Sequence, residues 1–483
     1  MTLYRSSLFG RGWLRERLND HLTGVRTSGQ GRMLAVRGRR QVGKSTAVTA
    51  FVESADVGYL YATGIKDAAG HTQLAAIAEA ARGARRPVAD AGLLFSEAPT
   101  NWRDLLGRLA VTARTGPAVV VLDEFPWLIE SDADIEGELQ VQWDQLLGKL
   151  PVLLILIGSD VAMMRRISEH DRPLFGRTQQ LVVPALNPGE VAAALPDRSA
   201  MEVFDTYLIT GGYPRLVAGC GSAPSAATYV HKSLQDEHSD LAVTARLSLD
   251  AEFADAAAAY RVLSAIGGSE QAHPAFNDVV AAISDPAERE AAKTATTRAL
   301  AVLSAVKDVV RIDVPAGAPP NSKLRRYRIT DPYLRFWFAF VERQIDNISR
   351  GRPDIARARF DAGWSSWRGK AIEPVVHDAL TRLAATDPRL AGAETVSAWW
   401  NRDGSTEVDA VARDPKQVLA VGTIKWRGRS GVTKSEIGAL AAARSRVPGA
   451  ADARLLAISP HGATSGAGAD SQFTAKDLFA AWD

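Results

Sequence analysis

The sequence predicts an α/β chain built around a parallel sheet with helices on both faces, and three observations predict it. From Arg32 to about Pro196, short β-branched runs alternate with helical segments, the pattern of strands joined by crossover connections. Gly38-Arg39-Arg40-Gln41-Val42-Gly43-Lys44-Ser45 matches G-x-x-x-x-G-K-[ST] directly after the apolar run Met33-Leu34-Ala35-Val36. A further apolar run from Ala118 to Leu122 ends in the paired acids Asp123-Glu124.

Taken in order, the strands are expected at 34–36, 57–61, 118–123, 152–158 and 179–183, as near-continuous apolar runs that suit burial on both sides. The helix after the glycine-rich loop carries Val48, Phe51 and Val52 on one face. Residues 199–251 read as helical and alanine-rich, interrupted by Gly211-Gly212-Tyr213-Pro214, and suggest a helical lid. Next come three short helices, at 260–266, 276–283 and 297–306, and a hairpin of 309–314 and 325–329. The intervening loop, 315–322, holds three prolines and two alanines, and the whole is a winged-helix pattern. The aromatic segment Tyr333-Leu334-Arg335-Phe336-Trp337-Phe338 reads as buried packing. A basic stretch with Arg343, Arg350, Arg352, Arg357 and Arg359 leads into a last α/β domain. The resulting division is 1–197, 198–252, 253–345 and 346–483.

Composition sets the outer limits. At about 150 residues per domain, 483 residues suggest about three domains. A formal charge of +2 gives no whole-molecule field for nucleic acid, so any such contact must come from a local patch. The single cysteine, Cys220, excludes an internal disulfide and a cysteine-rich zinc site. No stretch approaches the ~18 apolar residues of a membrane span, and the first residues lack a signal-peptide core, so a soluble, cytoplasmic protein without a membrane partner is expected.

The glycine-rich loop is the chemical signal. Two glycines let the backbone curl so that its N–H groups face inward, and the following helix adds its positive end. Gly38, Arg39, Arg40, Gln41, Val42, Gly43, Lys44, Ser45 and Thr46 would line a cradle for ATP, with Lys44 on the terminal phosphates. Ser45 and Asp123 would hold Mg²⁺, while Glu124 stands where a base orients the attacking water. Ser159, after the strand at 152–158, is either a sensor of the γ-phosphate or the cap of the next helix. Arg177, in Leu174-Phe175-Gly176-Arg177, is either the cation that stabilises the transferring phosphoryl group, in cis or toward a neighbouring subunit, or half of a surface salt bridge.

These motifs, in this order, resemble the archaeal-type P-loop ATPases of the STAND and AAA-like branch that carry a winged helix and a C-terminal restriction-endonuclease-like, PD-(D/E)XK-type domain. The resemblance rests on Phe9-Gly10-Arg11, the loop, Asp123-Glu124-Phe125-Pro126-Trp127-Leu128, Gly158-Ser159, Leu174 to Arg177, Gly211 to Pro214, and Tyr327 to Trp337. It implies that Phe9, Gly10 and Arg11 belong to the pocket around the nucleotide base, and that Gly212, Tyr213 and Pro214 pack on the same base; a plain helix-terminating turn is the other reading of Gly212 to Pro214.

A nuclease of the type implied needs acids that hold Mg²⁺ and a lysine that positions water. The last domain offers Glu373 on a helix, Glu407 and Asp409 on a strand, and Lys425 on the next. Thr423 stands where an acid is required. A hydroxyl replaces a carboxylate poorly on a hard cation, so this degenerate site is expected to cleave DNA slowly or not at all. The winged-helix segment offers Thr297, Arg298 and Lys307 on its third helix and Lys323, Arg325, Arg326 and Arg328 on its wing. These are either phosphate contacts to double-stranded DNA or solvated charges.

The expectation is thus an Mg²⁺-dependent ATPase whose nucleotide state controls a DNA-binding winged helix and an inactive nuclease-like module. The alternatives are a nonhydrolysing ATP switch that serves as a regulator or scaffold, and a working ATP-controlled nuclease.

Overall fold

The computed structural model describes residues 10–253, 256–269 and 273–482, in two compact units that divide between Ala185 and Leu186. The first unit is organised by β1 (Arg32–Arg37), β2 (Gly58–Thr63), β3 (Ala118–Asp123), β4 (Val152–Gly158) and β5 (Thr178–Val182). Every pairing is parallel and the order across the sheet is β2-β3-β4-β1-β5. Every residue of β3 and β4 is buried, as the unbroken Val, Leu and Ile runs require once helices cover both faces. Observed β2 and β5 lie within two residues of the expected ranges.

Two helices frame the loop at the end of β1. Helix α1 (Gly12–Ser28) buries Leu14, Leu18, Leu22 and Val25, a stripe at steps of four, four and three. Helix α2 (Lys44–Ser54) buries Ala47, Val48, Phe51 and Val52, the face expected from sequence. Phe51 is wholly enclosed, and its truncation to alanine would cost about 3–5 kcal/mol. This packing makes the base of the loop rigid.

The second unit begins with helices Ala200–Thr210, Pro214–Gly221, Ala226–Ser233 and Asp240–Glu252. Helices Ala256–Gly267, Phe276–Ile283 and Arg289–Ala301 follow, and then an antiparallel hairpin of β6 (Val310–Asp313) and β7 (Arg326–Ile329). The third of these helices starts and ends earlier than the expected 297–306: Val302–Val306 winds as a π turn. The wider turn carries Leu303 into the interior and leaves Val302 and Val306 exposed, which an i, i+4 reading of the sequence does not anticipate.

The aromatic segment forms helix Pro332–Phe340, capped by Asp331, with Tyr333, Phe336, Trp337 and Phe338 fully buried. The Tyr333 hydroxyl donates to Leu241 O at 2.8 Å and the Trp337 indole to Ala242 O at 2.8 Å, so each buried polar tip has a partner. Helices Pro353–Ala371 and Glu373–Leu383 then lead to β8 (Thr395–Trp400), β9 (Glu407–Arg413), β10 (Val418–Ile424), β11 (Arg454–Ile458) and β12 (Ser471–Phe473). This sheet runs β12-β11-β10-β9-β8, with β8, β9 and β10 antiparallel and β10, β11 and β12 parallel. The loop of the hairpin covers the free edge of β8, where Ala316 N donates to Ala398 O at 2.9 Å. Among the described residues no helix is long and apolar enough to cross a membrane.

Candidate nucleotide site and a second cavity

The loop between β1 and α2 owes its shape in part to two glycines. A Cβ on Gly38 would stand 2.1 Å from Val183 O, and Gly43 caps α2 at φ +92°, a left-handed value. Gln41 is also left-handed, at φ 63°. Among the described residues no side chain caps α2. Lys44 is buried, and its ammonium donates to Gly38 O and Arg39 O, each at 2.8 Å, so the cation sits inside the curl of the loop. Ser45 and Thr46 are exposed beside it. Arg40 lies over the Trp127 ring at 5.9 Å.

Arg11 braces this loop from beneath. Its guanidinium is buried and donates to Val42 O at 2.6 Å and Pro184 O at 2.8 Å. Gly10 is left-handed at φ 71°, and Phe9 lies outside the described residues.

The acids stand on the neighbouring strand ends. Asp123 is buried at the C-terminal end of β3; its Oδ1 accepts from Glu124 N at 2.9 Å and its Oδ2 from the Tyr61 hydroxyl at 2.7 Å. Burial first, and then the Asp123 charge, push the Tyr61 phenol upward, so it stays a protonated donor; the Thr49 and Ser45 hydroxyls interact with the same oxygen. Glu124 adopts φ 49°, a left-handed value that costs a non-glycine residue about 1–3 kcal/mol. The Ser159 hydroxyl, at the end of β4, lies 3.1 and 3.0 Å from the two Glu124 oxygens. Asp160 caps the next helix, its carboxylate accepting from Met163 N at 2.9 Å. Ser159 therefore pairs with Glu124 and leaves the cap to its neighbour.

Tyr61 was missing from the sequence expectation, because a tyrosine in an apolar strand carries no pattern that marks its hydroxyl. The pairing register supplies the reason for its reach. Tyr61 lies opposite Val121, and Val121 shares a face with Asp123 two residues on, so the ring spans a diagonal across β2 and β3.

Arg177 is held elsewhere. Its Nε and Nη2 donate to the two Asp144 oxygens at 2.8 and 2.6 Å, and its Nη1 to Pro173 O and Phe175 O at 3.1 Å. The pair raises the Arg177 pKa and lowers that of Asp144. In the second unit, Gly211 and Gly212 are both left-handed, and a Cβ on Gly212 would meet Leu186 O at 2.0 Å. The Tyr213 hydroxyl donates to Asp331 Oδ2 at 2.6 Å, and Pro214 opens the following helix.

The last sheet gathers the other set of candidates around a cavity of about 1000 Å³ lined by Glu373, Glu407, Asp409, Lys425 and Arg326 among others. Asp409 Oδ2 accepts three bonds: from the Thr423 hydroxyl at 2.9 Å, Ile424 N at 2.8 Å and the Lys425 ammonium at 3.1 Å. Glu407 accepts from Arg326 Nη1 at 2.8 Å, and that guanidinium also lies over the Trp400 ring at 4.3 Å. Burial, then the Asp409 and Glu407 charges, push Glu373 up to about 8. Among the described residues no cluster of three or more His, Cys, Asp or Glu side chains is arranged to hold a metal ion.

The hairpin charges are partly engaged within the chain. Arg326 pairs with Glu407, Arg328 with Asp313 at 2.6 Å, and Arg325 donates to Ser322 O at 3.0 Å, while Lys323 is exposed. On the preceding helix Thr297 and Arg298 are exposed, and Lys307 lies over the Phe253 ring at 5.9 Å.

Residues 337–437 match a family described as archaeal and bacterial proteins of unknown function. An uncharacterised protein of Methanocaldococcus jannaschii is 24% identical over 312 residues, 64% of this chain and 67% of its own length. Among solved structures, the chain is similar to the Walker-type ATPase of Pyrococcus abyssi, with 14% identity, a TM-score of 0.48, and 68% and 95% of the two chains covered. It is also similar to the Aeropyrum pernix ORC2 protein, with 16% identity, a TM-score of 0.42, and 73% and 95% covered.

Proposed function

We propose that the chain is an Mg²⁺-dependent ATPase whose nucleotide state controls a DNA-binding winged helix, residues 253–345, and a nuclease-like module that has lost its chemistry. One observation carries the ATPase reading: Lys44, Asp123 with Glu124, and Ser159 stand at the same ends of β1, β3 and β4, which are adjacent in the sheet. Ligands of open α/β sheets bind at these carboxyl ends.

The residues divide the work. Loop N–H groups and the N-terminus of α2 bind the phosphates, and Lys44 exchanges two carbonyl oxygens for phosphate oxygens. Ser45 and Asp123 suit Mg²⁺, which takes one or two protein oxygens together with substrate phosphates. When bound, the ion would neutralise charge on the β- and γ-phosphates. Glu124 orients the attacking water once its carboxylate leaves Ser159, and the Ser159 hydroxyl then turns to the γ-phosphate. Arg177 reaches the phosphoryl group after release from Asp144. Gly10, Arg11, Gly212 and Pro214 remain proposals for the surroundings of the base.

A second reading has support of its own. Glu124 and Arg177, the two groups that turnover requires, are both tied within the chain. A nonhydrolysing ATP switch would keep them so. Phosphate release with and without double-stranded DNA decides between the two: turnover that Glu124→Gln removes supports the ATPase, its stimulation by DNA supports the winged helix, and ATP binding without turnover supports the switch.

In the last domain, Lys425 neutralises Asp409 and Arg326 neutralises Glu407 where a nuclease would place a metal. This arrangement, with Thr423 in the acid position, supports an inactive module.

A further inference from the structure

We propose that Tyr61 is a positioning residue for the divalent cation of the nucleotide site, a clamp that aligns Asp123 with the loop serine before the ion arrives. The inference rests on the ATPase reading and adds a residue that no motif marks.

A phenol hydroxyl has one proton and two acceptor sites. Here the proton goes to Asp123 Oδ2 at 2.7 Å, while Glu124 N holds Oδ1 at 2.9 Å, so both oxygens of the carboxylate are anchored and its plane is set. The same phenol also interacts with the side chains of Ser45 and Thr49, both on α2. Tyr61 thus bridges the two groups proposed for the cation, one on β3 and one at the start of α2. A serine hydroxyl that gives a lone pair to a cation must direct its own proton to another acceptor, and the Tyr61 oxygen is such an acceptor. Partners of this kind orient metal ligands, and their loss typically weakens metal binding about 10–100-fold.

A merely structural tyrosine would satisfy buried Asp123 and do nothing more. The two roles separate in the cation requirement. Calorimetric titration of ATP is carried out on the full chain in EDTA and over a series of Mg²⁺ concentrations. For Tyr61→Phe the Mg²⁺ needed for half-maximal tightening of ATP binding is expected to rise about tenfold or more, with affinity in EDTA unchanged. A lowered melting temperature with an unmoved Mg²⁺ requirement overturns the clamp.

A double-mutant cycle with Asp123→Asn gives a second measurement. Tyr61→Phe is expected to change the requirement less than about twofold once Asp123 has lost its charge, and full additivity overturns the proposal. Wild-type protein that binds no ATP at any Mg²⁺ concentration removes the ATPase reading itself, whereas wild-type binding with an unaltered Tyr61→Phe requirement removes only the clamp.

Discussion

The two candidate sites use the same ingredients, a lysine and acids on adjacent strands, and arrange them to opposite effect. At the glycine-rich loop, Lys44 rests on two neutral carbonyl oxygens, and the Asp123 carboxylate is held by neutral donors. At the last sheet, Lys425 lies 3.1 Å from Asp409 and Arg326 lies 2.8 Å from Glu407, so the charges compensate one another. The difference teaches that a lysine and acids do not make a site. A loop of fixed backbone dipoles with its lysine on carbonyl oxygens suits an anionic ligand, whereas a lysine beside a carboxylate neutralises the acid that a cation would need.

The comparison breaks most readily at Glu124. Glu124→Gln is expected to lower phosphate release about 10²–10⁴-fold while ATP is still bound, because only the proton-accepting group is lost. Unchanged release would remove Glu124 from the chemistry. At the other site, incubation of the purified protein with plasmid DNA and Mg²⁺ or Mn²⁺ is expected to give no nicking; robust nicking that disappears in Lys425→Ala would falsify the inactive reading.

The cavity at the last sheet also predicts a pH dependence. The Glu373 pKa is about 8 in the fold against an ordinary 4.5, so between these values the folded chain keeps a proton that the unfolded chain releases. Its contribution to stability is complete below about 4.5 and is lost as the pH rises through about 8. Glu373→Gln, which stays neutral, should raise the melting temperature more at pH 9 than at pH 5. An equal change at both pH values would contradict the raised pKa. The smallest effect is expected at Arg177: its pair with Asp144 is open to solvent, so Arg177→Ala should cost less than about 1 kcal/mol in a denaturant melt. Lower turnover at unaltered ATP affinity would support its proposed role on the phosphoryl group, and unaltered turnover would leave it a surface ion pair.

Much of the first unit was legible because its signals are local. The loop is a contiguous motif, the buried face of α2 follows from 3.6-residue spacing, and β3 and β4 are runs of Val, Leu and Ile with one possible environment. The π turn at Val302–Val306 was not legible, since hydrophobic spacing at that length reads as an ordinary helix. Nor were the partners of the charged groups. The hairpin arginines Arg326 and Arg328 read equally as contacts for DNA, and the acids that engage them, Glu407 and Asp313, gave no sign of pairing.

By itself the sequence determined where a phosphate cradle can form, which strands are buried, and that a neutral threonine, Thr423, stands two residues before Lys425, because each depends on residue type within a few positions. Only the tertiary structure decided that Tyr61 meets Asp123 across 62 residues, Ser159 meets Glu124 across 35, and Arg326 meets Glu407 across 81. Those contacts are set by strand order and register, which arise from packing the whole sheet and cannot be read from any one segment.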